Sequence, residues 1–215
     1  MTTVIDGTAG ITTNNSVYTD ASGNTGIGTT SPTTILSVYN ATSTILAVDG
    51  DAASQVRASR YSADAAGAFY QIRKARGTFA SPTAVASGDL AGTYQFTAYG
   101  GTNYRSVGSV QAFVDTYTSD TNISSYLVFS TNSGSTAVTE RMRIDAAGNV
   151  GIGATANASA ILDAQSTTKG VRMPNMTTVQ KNAISSPAAG LMVFDTTLSK
   201  LCVYTGAAWQ TITSV

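Results

Sequence analysis

Apolar and polar residues alternate with a period of two along several short stretches of the chain, which is the pattern of half-buried strands. Tyr94-Gln95-Phe96-Thr97-Ala98, Val110-Gln111-Ala112-Phe113-Val114 and Tyr126-Leu127-Val128-Phe129-Ser130 follow it. The run from Val138 to Ile144 does so as well, with Thr139, Arg141 and Arg143 on the opposite face. Turn formers separate these runs at Ser87-Gly88-Asp89, Tyr99 to Asn103, Ser119 to Asn122 and Asn132 to Ser135. Strands at this spacing predict an antiparallel sandwich or jelly roll in the middle of the chain. Further on, Thr177-Thr178-Val179-Gln180 fits a helix capping box, and Ser185-Ser186-Pro187 stops the helix soon after. Leu191 to Asp195, Leu201 to Thr205 and Ala208 to Ile212 then read as three strands, giving a small C-terminal sheet with one short helix.

One segment occurs twice. Asp20-Ala-Ser-Gly-Asn-Thr-Gly-Ile-Gly, running on to Ile35-Leu36, lines up with Asp145-Ala-Ala-Gly-Asn-Val-Gly-Ile-Gly, running on to Ile161-Leu162, with one inserted residue near the end. Two copies about 125 residues apart are too few for a solenoid; they read as a connector reused on either side of a central body. Each pairs a turn signal, Gly23-Asn24 or Gly148-Asn149, with Gly-Ile-Gly. Such glycines mark positive φ or close approach of another backbone. One isoleucine between glycines makes no hydrophobic face alone, but three copies meeting on an axis would, which nominates Ile27 and Ile152 as trimer-axis residues.

Composition strengthens that reading. Of 215 residues, 24 are Ser, 34 Thr, 31 Ala and 20 Gly, so about half of the chain has little side chain to bury. Only 8% is aromatic, and 12 of these rings fall between residues 61 and 129. A chain so lean is expected to obtain apolar burial from copies of itself. The 12 basic and 12 acidic residues cancel, which excludes the basic footprint of a nucleic-acid binder. Histidine is absent, removing the commonest general base and zinc ligand. The single Cys202 cannot make an intrachain disulfide and reads as a small buried hydrophobe. No Lys or Arg precedes Arg57 and no apolar run approaches the roughly 18 residues of a span. The expectation is a chain made in a cytoplasm, without a standard export signal and not inserted in a membrane.

The paired Gly-Asn-x-Gly-Ile-Gly connectors, the run Glu140-Arg-Met-Arg-Ile-Asp145 leading into the second, and Lys74-Ala-Arg-Gly-Thr-Phe-Ala-Ser-Pro-Thr-Ala-Val85 with Ser87-Gly-Asp89 resemble tailed-bacteriophage fibre proteins, both tail fibres and related virion-surface fibres. Gly170-Val-Arg-Met-Pro174, Ile184 to Gly190 and Tyr204-Thr-Gly-Ala-Ala-Trp209 are similar to fibre tips. The resemblance implies a homotrimeric, mostly β fibre that is fixed to the particle at one end and meets the host surface with the rest.

On that basis the expected organisation is a virion-attachment segment at 1–19, a first connector at 20–48, a central β domain at 49–144, a second connector at 145–176 and a C-terminal tip at 177–215. The expected partners are two further copies, other virion proteins through the N-terminal segment, and a host surface glycan or protein. Tyr99, Tyr104, Tyr204 and Trp209 lie in or beside turns and are the candidate receptor contacts, since aromatic faces stack on sugar rings. No cofactor, metal or catalytic residue is expected. Gly151-Ile-Gly153-Ala-Thr-Ala156 superficially meets the dinucleotide fingerprint, but it follows a turn rather than a buried strand. Paired carboxylates of a polysaccharide-degrading tailspike would have to come from 11 Asp and Glu140, and Asp49, Asp51, Asp115 and Asp120 sit where aspartate stabilises turns. The basic cluster Arg57, Arg60, Arg73, Lys74 and Arg76 could bind anionic sugar or phosphate groups of a bacterial envelope, or be a set of exposed strand faces or of intersubunit pairs with aspartates of a neighbouring chain. The alternatives are a head fibre or decoration protein without a receptor, and the tailspike.

Overall fold

Short runs of alternation separated by glycine turns leave the backbone to satisfy itself through ladders between neighbouring strands. The computed structural model describes residues 17–27, 36–38, 56, 58–61 and 63–213. Among them the fold is mainly β, as expected, with one short helix. The chain divides into two units, residues 1–70 and 71–215.

In the first unit, β1 (Val17–Thr19) and β2 (Thr25–Ile27) form an antiparallel hairpin, and β3 (Leu36–Val38) lies parallel to β2. The hairpin turn is tied by Asp20. Its carboxylate accepts from the amides of Ser22 and Asn24, both at 2.9 Å, and from Asn24 Nδ2 at 3.1 Å. Gly23 takes the left-handed conformation the turn requires, with φ of +83°.

The second unit begins with a two-stranded hairpin, β4 (Arg76–Gly77) and β5 (Pro82–Thr83). A six-stranded sheet follows, made of β6 (Leu90–Tyr99), β7 (Tyr104–Ser119), β8 (Asn122–Thr131), β9 (Thr139–Ile144), β10 (Val150–Ile152) and β11 (Leu162–Ala164). It is an antiparallel meander from β6 to β10, with β11 parallel to β10 at the edge. The strands read from alternation are all present. Their layering differs from the expected sandwich: β6 to β11 make one sheet, and the second connector extends it instead of leaving it.

The last module is a four-stranded sheet of β12 (Asn175–Met176), β13 (Met192–Asp195), β14 (Lys200–Tyr204) and β15 (Trp209–Thr211). Between β12 and β13 runs α1 (Thr178–Asn182). The capping box is realised: Thr177 accepts from the Gln180 amide at 3.3 Å, and the Thr177 amide donates to Gln180 Oε1 at 2.9 Å. Such a box satisfies two of the otherwise orphaned first-turn donors. α1 packs against β12 and β13, so one face of this small sheet is covered.

Candidate self-association surfaces and aromatic contacts

Paired residues of neighbouring strands share a face. Read across the six-stranded sheet, the register therefore sorts the side chains into rows. One row is Gly92, Ala112, Leu127, Ile144, Val150 and Leu162; the next is Tyr94, Val110, Phe129, Met142, Ile152 and Ala164. Both are wholly apolar. In an isolated chain Tyr94, Phe96, Leu127, Ile152 and Leu162 on this face remain exposed. Ile72 folds back over part of it, against Gly92, leaving a hollow of about 190 Å3 lined by Tyr94, Val110, Ala112 and Leu127.

The opposite face is of another kind. It carries Thr93, Gln95, Ser109, Gln111, Phe113, Tyr126 and Arg143, with buried Val128 between Gln111 and Arg143. Phe113 and Tyr126 stack with centroids 5.2 Å apart and planes 10° from parallel. The Arg143 guanidinium lies 4.3 Å from the Tyr126 ring centroid and is held by two 2.8 Å bonds to Glu140. Those bonds set the Glu140 carboxyl below its ordinary range, against the opposing push of burial. The cross-strand ladder stiffens this face, and it occupies the chain's only glutamate.

The C-terminal sheet repeats the contrast. Val193, Asp195 and Cys202 face α1 and are fully buried. Buried Lys181 donates to Asp195 Oδ2 at 3.2 Å and approaches Cys202 Sγ at 3.9 Å and the Trp209 ring centroid at 5.4 Å. Asp195 also accepts from Thr178 Oγ1 at 2.8 Å and from the amides of Thr197 and Leu198. Burial pushes the Asp195 carboxyl up, but these bonds together outweigh it and hold it below the usual range. The other face shows Met192, Phe194, Leu201 and Val203. Beside it Val171, Arg172 and Met173 border a hollow of about 600 Å3 floored by Phe194 and Leu201.

Two sheets with one bare apolar face each leave little core. The buried hydrophobic residues among those described are Val114, Val128, Val193 and Cys202.

The nominated residues fall as follows. Ile27 and Ile152 are 40% and 43% exposed. The glycines beside Ile152 have an in-chain cause the sequence did not disclose. A Cβ on Gly151 would run into the carbonyl of Ala154 and lie 2.6 Å from the Ala156 amide, and Gly153, at φ of +82°, is overlaid by the Gln165 carbonyl. Tyr99 and Tyr104 are brought together as a cross-strand pair at the β6–β7 tip, centroids 5.4 Å apart, and are 60% and 72% exposed. Tyr204 and Trp209 also pair, at 5.4 Å, but are half-buried, with Trp209 against Lys181. Two of the five residues of the basic cluster are ion-paired: Arg60 pairs with Asp64 at 2.6 Å, and Arg76 grips Asp89 with two bonds of 2.6 and 2.7 Å. Those bonds, with the Ala86 amide, hold the Asp89 carboxyl far below its usual range. Arg57, Asp49 and Asp51 lie outside the described residues, as does most of the expected attachment segment. Asp115 accepts from Ser124, and Asp120 from the Tyr117 hydroxyl. Among the described residues no three His, Cys, Asp or Glu side chains gather as a metal site, and no helix is long and apolar enough to cross a membrane.

Residues 150–215 match the family model of the phage tail like trimerisation region, which places the likeness to phage fibres in the second connector's last strands and the C-terminal module. No curated protein matches the chain. Among solved structures it is similar to the carboxy-terminal domain of the bacteriophage T5 L-shaped tail fibre, with a TM-score of 0.46 and 15% identity over 64% of this chain and 60% of that one. The same domain with its intra-molecular chaperone domain matches with a TM-score of 0.39 and 17% identity, over 71% of this chain and 38% of that one.

Proposed function

We propose that the chain is the subunit of a homotrimeric fibre of a tailed-phage virion, which mediates adsorption to the host surface without catalysis. The observation that carries this is the pair of apolar rows on the six-stranded sheet, bare in one chain, in a protein whose last third matches a trimerisation region. Three such faces turned inward would form the core that each copy lacks, and Ile152 would stand in it. The polar ladder face and the Tyr99–Tyr104 tip would then be left to solvent and to receptor. Weak sites repeated around the trimer, and again over several fibres, hold a particle by effective concentration. A non-enzymatic role is supported by Glu140 being tied to Arg143 and by the turn bonds of the aspartates. The N-terminal segment would join other virion proteins.

Light scattering of the purified protein tests the assembly: about 66 kDa is expected for three chains of 22.0 kDa, and a heat-stable 22 kDa species would refute it. Adsorption is tested separately by competition. Added protein should block phage binding, and a Tyr99→Ala, Tyr104→Ala double variant of unchanged mass should not. Release of oligosaccharide from host capsule would overturn the non-enzymatic reading, and normal adsorption by particles lacking the protein would favour a decoration role.

A further inference from the structure

We propose that a polar hollow beside β9 is a binding subsite for an acidic sugar, whose carboxylate, or ester sulfate or phosphate, is held on Arg141. This deepens the adsorption reading, on which it rests only for its use on the particle, and it is built from other residues than the Tyr99–Tyr104 tip.

The site arises from a break in the ladder. Phe129 faces Met142 and Ser130 faces Glu140, so β9 carries one residue more than β8 at this point, and Arg141 has no partner across from it on β8. A bulge of this kind bends its strand and re-aims a side chain. Glu140, Arg141 and Arg143 all border one hollow of about 270 Å3, whose other wall is Gly153, Ala154 and Thr155, just beyond β10. The two walls are tied together: the Gly153 amide donates to the Arg141 carbonyl at 3.0 Å, and Gly153 turns the chain with φ of +82°.

Charge and donor geometry select the guest. Arg143 commits its Nε and one Nη to Glu140, so these two charges cancel locally. Arg141 Nε donates to Thr131 Oγ1 at 3.0 Å, which fixes the direction of the fork, while its terminal nitrogens have no partner among the described residues. One positive charge is therefore left in the lining. A guanidinium oriented in this way suits a carboxylate or an ester oxyanion, which its planar fork can grip with two bonds. Asp163, beyond Gly151 on the same face, gives its Oδ2 to the Asn157 amide and Gln165 Nε2, both at 2.8 Å.

The neighbouring space says how large the guest is. A second polar hollow of about 670 Å3, lined by Ala164, Gln165, Ser166 and Thr167, adjoins the first across Gly153 and Ala154, which border both. A small inorganic ion would need only the first. Two polar hollows with a shared wall fit successive rings of a glycan, the acid on Arg141 and the hydroxyls of the next ring among the amide and hydroxyl side chains beyond the turn.

Calorimetric titration of the intact protein at low salt tests this, with trigalacturonate as the carboxylate probe, galactose 6-sulfate and glucose 6-phosphate as the ester probes, and maltotriose as the neutral control. Trigalacturonate should bind and maltotriose should not. Arg141→Gln should weaken the binding about tenfold or more, as loss of charge-assisted bonds does. Ala154→Asp, which puts a carboxylate on the shared wall and leaves Arg141 in place, should weaken it as well. Arg141-dependent binding of an ester probe instead of trigalacturonate supports the same site and assigns it to a sulfated or phosphorylated glycan. Binding of none of the three acidic probes, equal binding of maltotriose, or unchanged binding by Arg141→Gln overturns the proposal. Should Arg141→Gln lose the wild-type light-scattering mass, Ala154→Asp at unchanged mass decides: retained binding overturns the site and lost binding supports it. Competition for phage binding runs in parallel. Wild-type protein that binds the probe yet fails to compete refutes adsorption and leaves the site standing, whereas protein that competes fully while Arg141→Gln binds the probe unchanged refutes the site alone.

Discussion

A single carboxylate on the apolar face of the six-stranded sheet should take the assembly apart. Leu127 sits mid-row between Ala112 and Ile144 and is 40% exposed in one chain, with Tyr94 at 54%, Phe96 at 58%, Ile152 at 43% and Leu162 at 60% around it. Fully burying a large apolar side chain is worth about 1.5–3 kcal/mol. Completing the burial of these five, about two and a half side-chain equivalents, yields roughly 4–8 kcal/mol per copy. Association costs roughly 4–15 kcal/mol in lost freedom, so this face is comparable to the cost and the C-terminal face is needed for a margin. Leu127→Asp removes about 1 kcal/mol of burial per copy and also places an unpaired carboxylate there, whose desolvation costs several kcal/mol. Three copies exhaust the margin. At micromolar concentration, light scattering should fall from about 66 kDa to about 22 kDa, the mass of one chain. Gln95→Asp, an exposed site on the opposite face, should leave the mass unchanged. A trimer that survives Leu127→Asp, or that dissociates equally with Gln95→Asp, would show that the interface lies elsewhere.

Lys181→Met should destabilise the C-terminal module by about 3–5 kcal/mol, because it strands a buried Asp195 charge. Urea unfolding followed by the fluorescence of Trp209, the only tryptophan and a neighbour of Lys181, reads it directly, and an unchanged midpoint would contradict the buried pair. Asp20, Asp145 and Asp195 all have carboxyls held below the usual 3.8, Asp20 and Asp145 chiefly by the backbone amides of Asn24 and Asn149, and Asp195 by hydrogen bonds that overcome its burial. Their stabilisation is present above that value and is lost as pH falls through the folded ones. The thermal midpoint should therefore drop steeply between pH 4 and lower pH, less so in Asp145→Asn, and a flat profile there would refute this. Gly151→Ala should cost about 1–3 kcal/mol, since its methyl meets backbone that has to move; the same midpoint measurement checks it.

The strands were legible where alternation lasted five residues or more, as at Tyr94 to Ala98 and Tyr126 to Ser130, because the period of two is itself the geometry of a pleated ladder. The capping box at Thr177 and Gln180 was legible for the same local reason. So was the repeat, whose single inserted residue reappears as the change of shift from 125 to 126 between strand partners. Leu36–Val38 and Leu162–Ala164 were not read as strands, since three residues show no period and a parallel partner is chosen by tertiary closure. Lys181 and Asp195 were missed because a lysine in the last turn of a helix ordinarily faces water. Alternation at Val110 to Val114 says that one face is apolar and says nothing of what covers it. A sandwich in one chain and a sheet awaiting copies of itself share one pattern, and they are distinguished only by how much large apolar side chain remains to build the second layer.

That distinction bears on where a receptor would be met. If the rows through Leu127 and Phe129 close on other copies, the face bearing Gln95, Gln111 and the Phe113, Tyr126 and Arg143 ladder is turned outward on every copy. The ladder uses its ring faces on itself: Tyr126 lies between Phe113 and the guanidinium, and Glu140 fixes that guanidinium in turn. Such a surface resists deformation, and both contacts engage the Tyr126 ring. Tyr99 and Tyr104 differ, because their rings are tilted by 53° and largely open, with the Tyr99 hydroxyl anchored to the Gly101 carbonyl at 2.9 Å. Stiff walls with open rings at a hairpin tip suit a particle that must present weak contacts in a fixed geometry, since multivalent binding is lost when geometry forbids simultaneous engagement. Softening the wall should therefore weaken adsorption as surely as removing the tip. Tyr126→Ala, at unchanged trimer mass, should lower competition for phage binding, and full competition by that variant would separate the ladder from adsorption altogether.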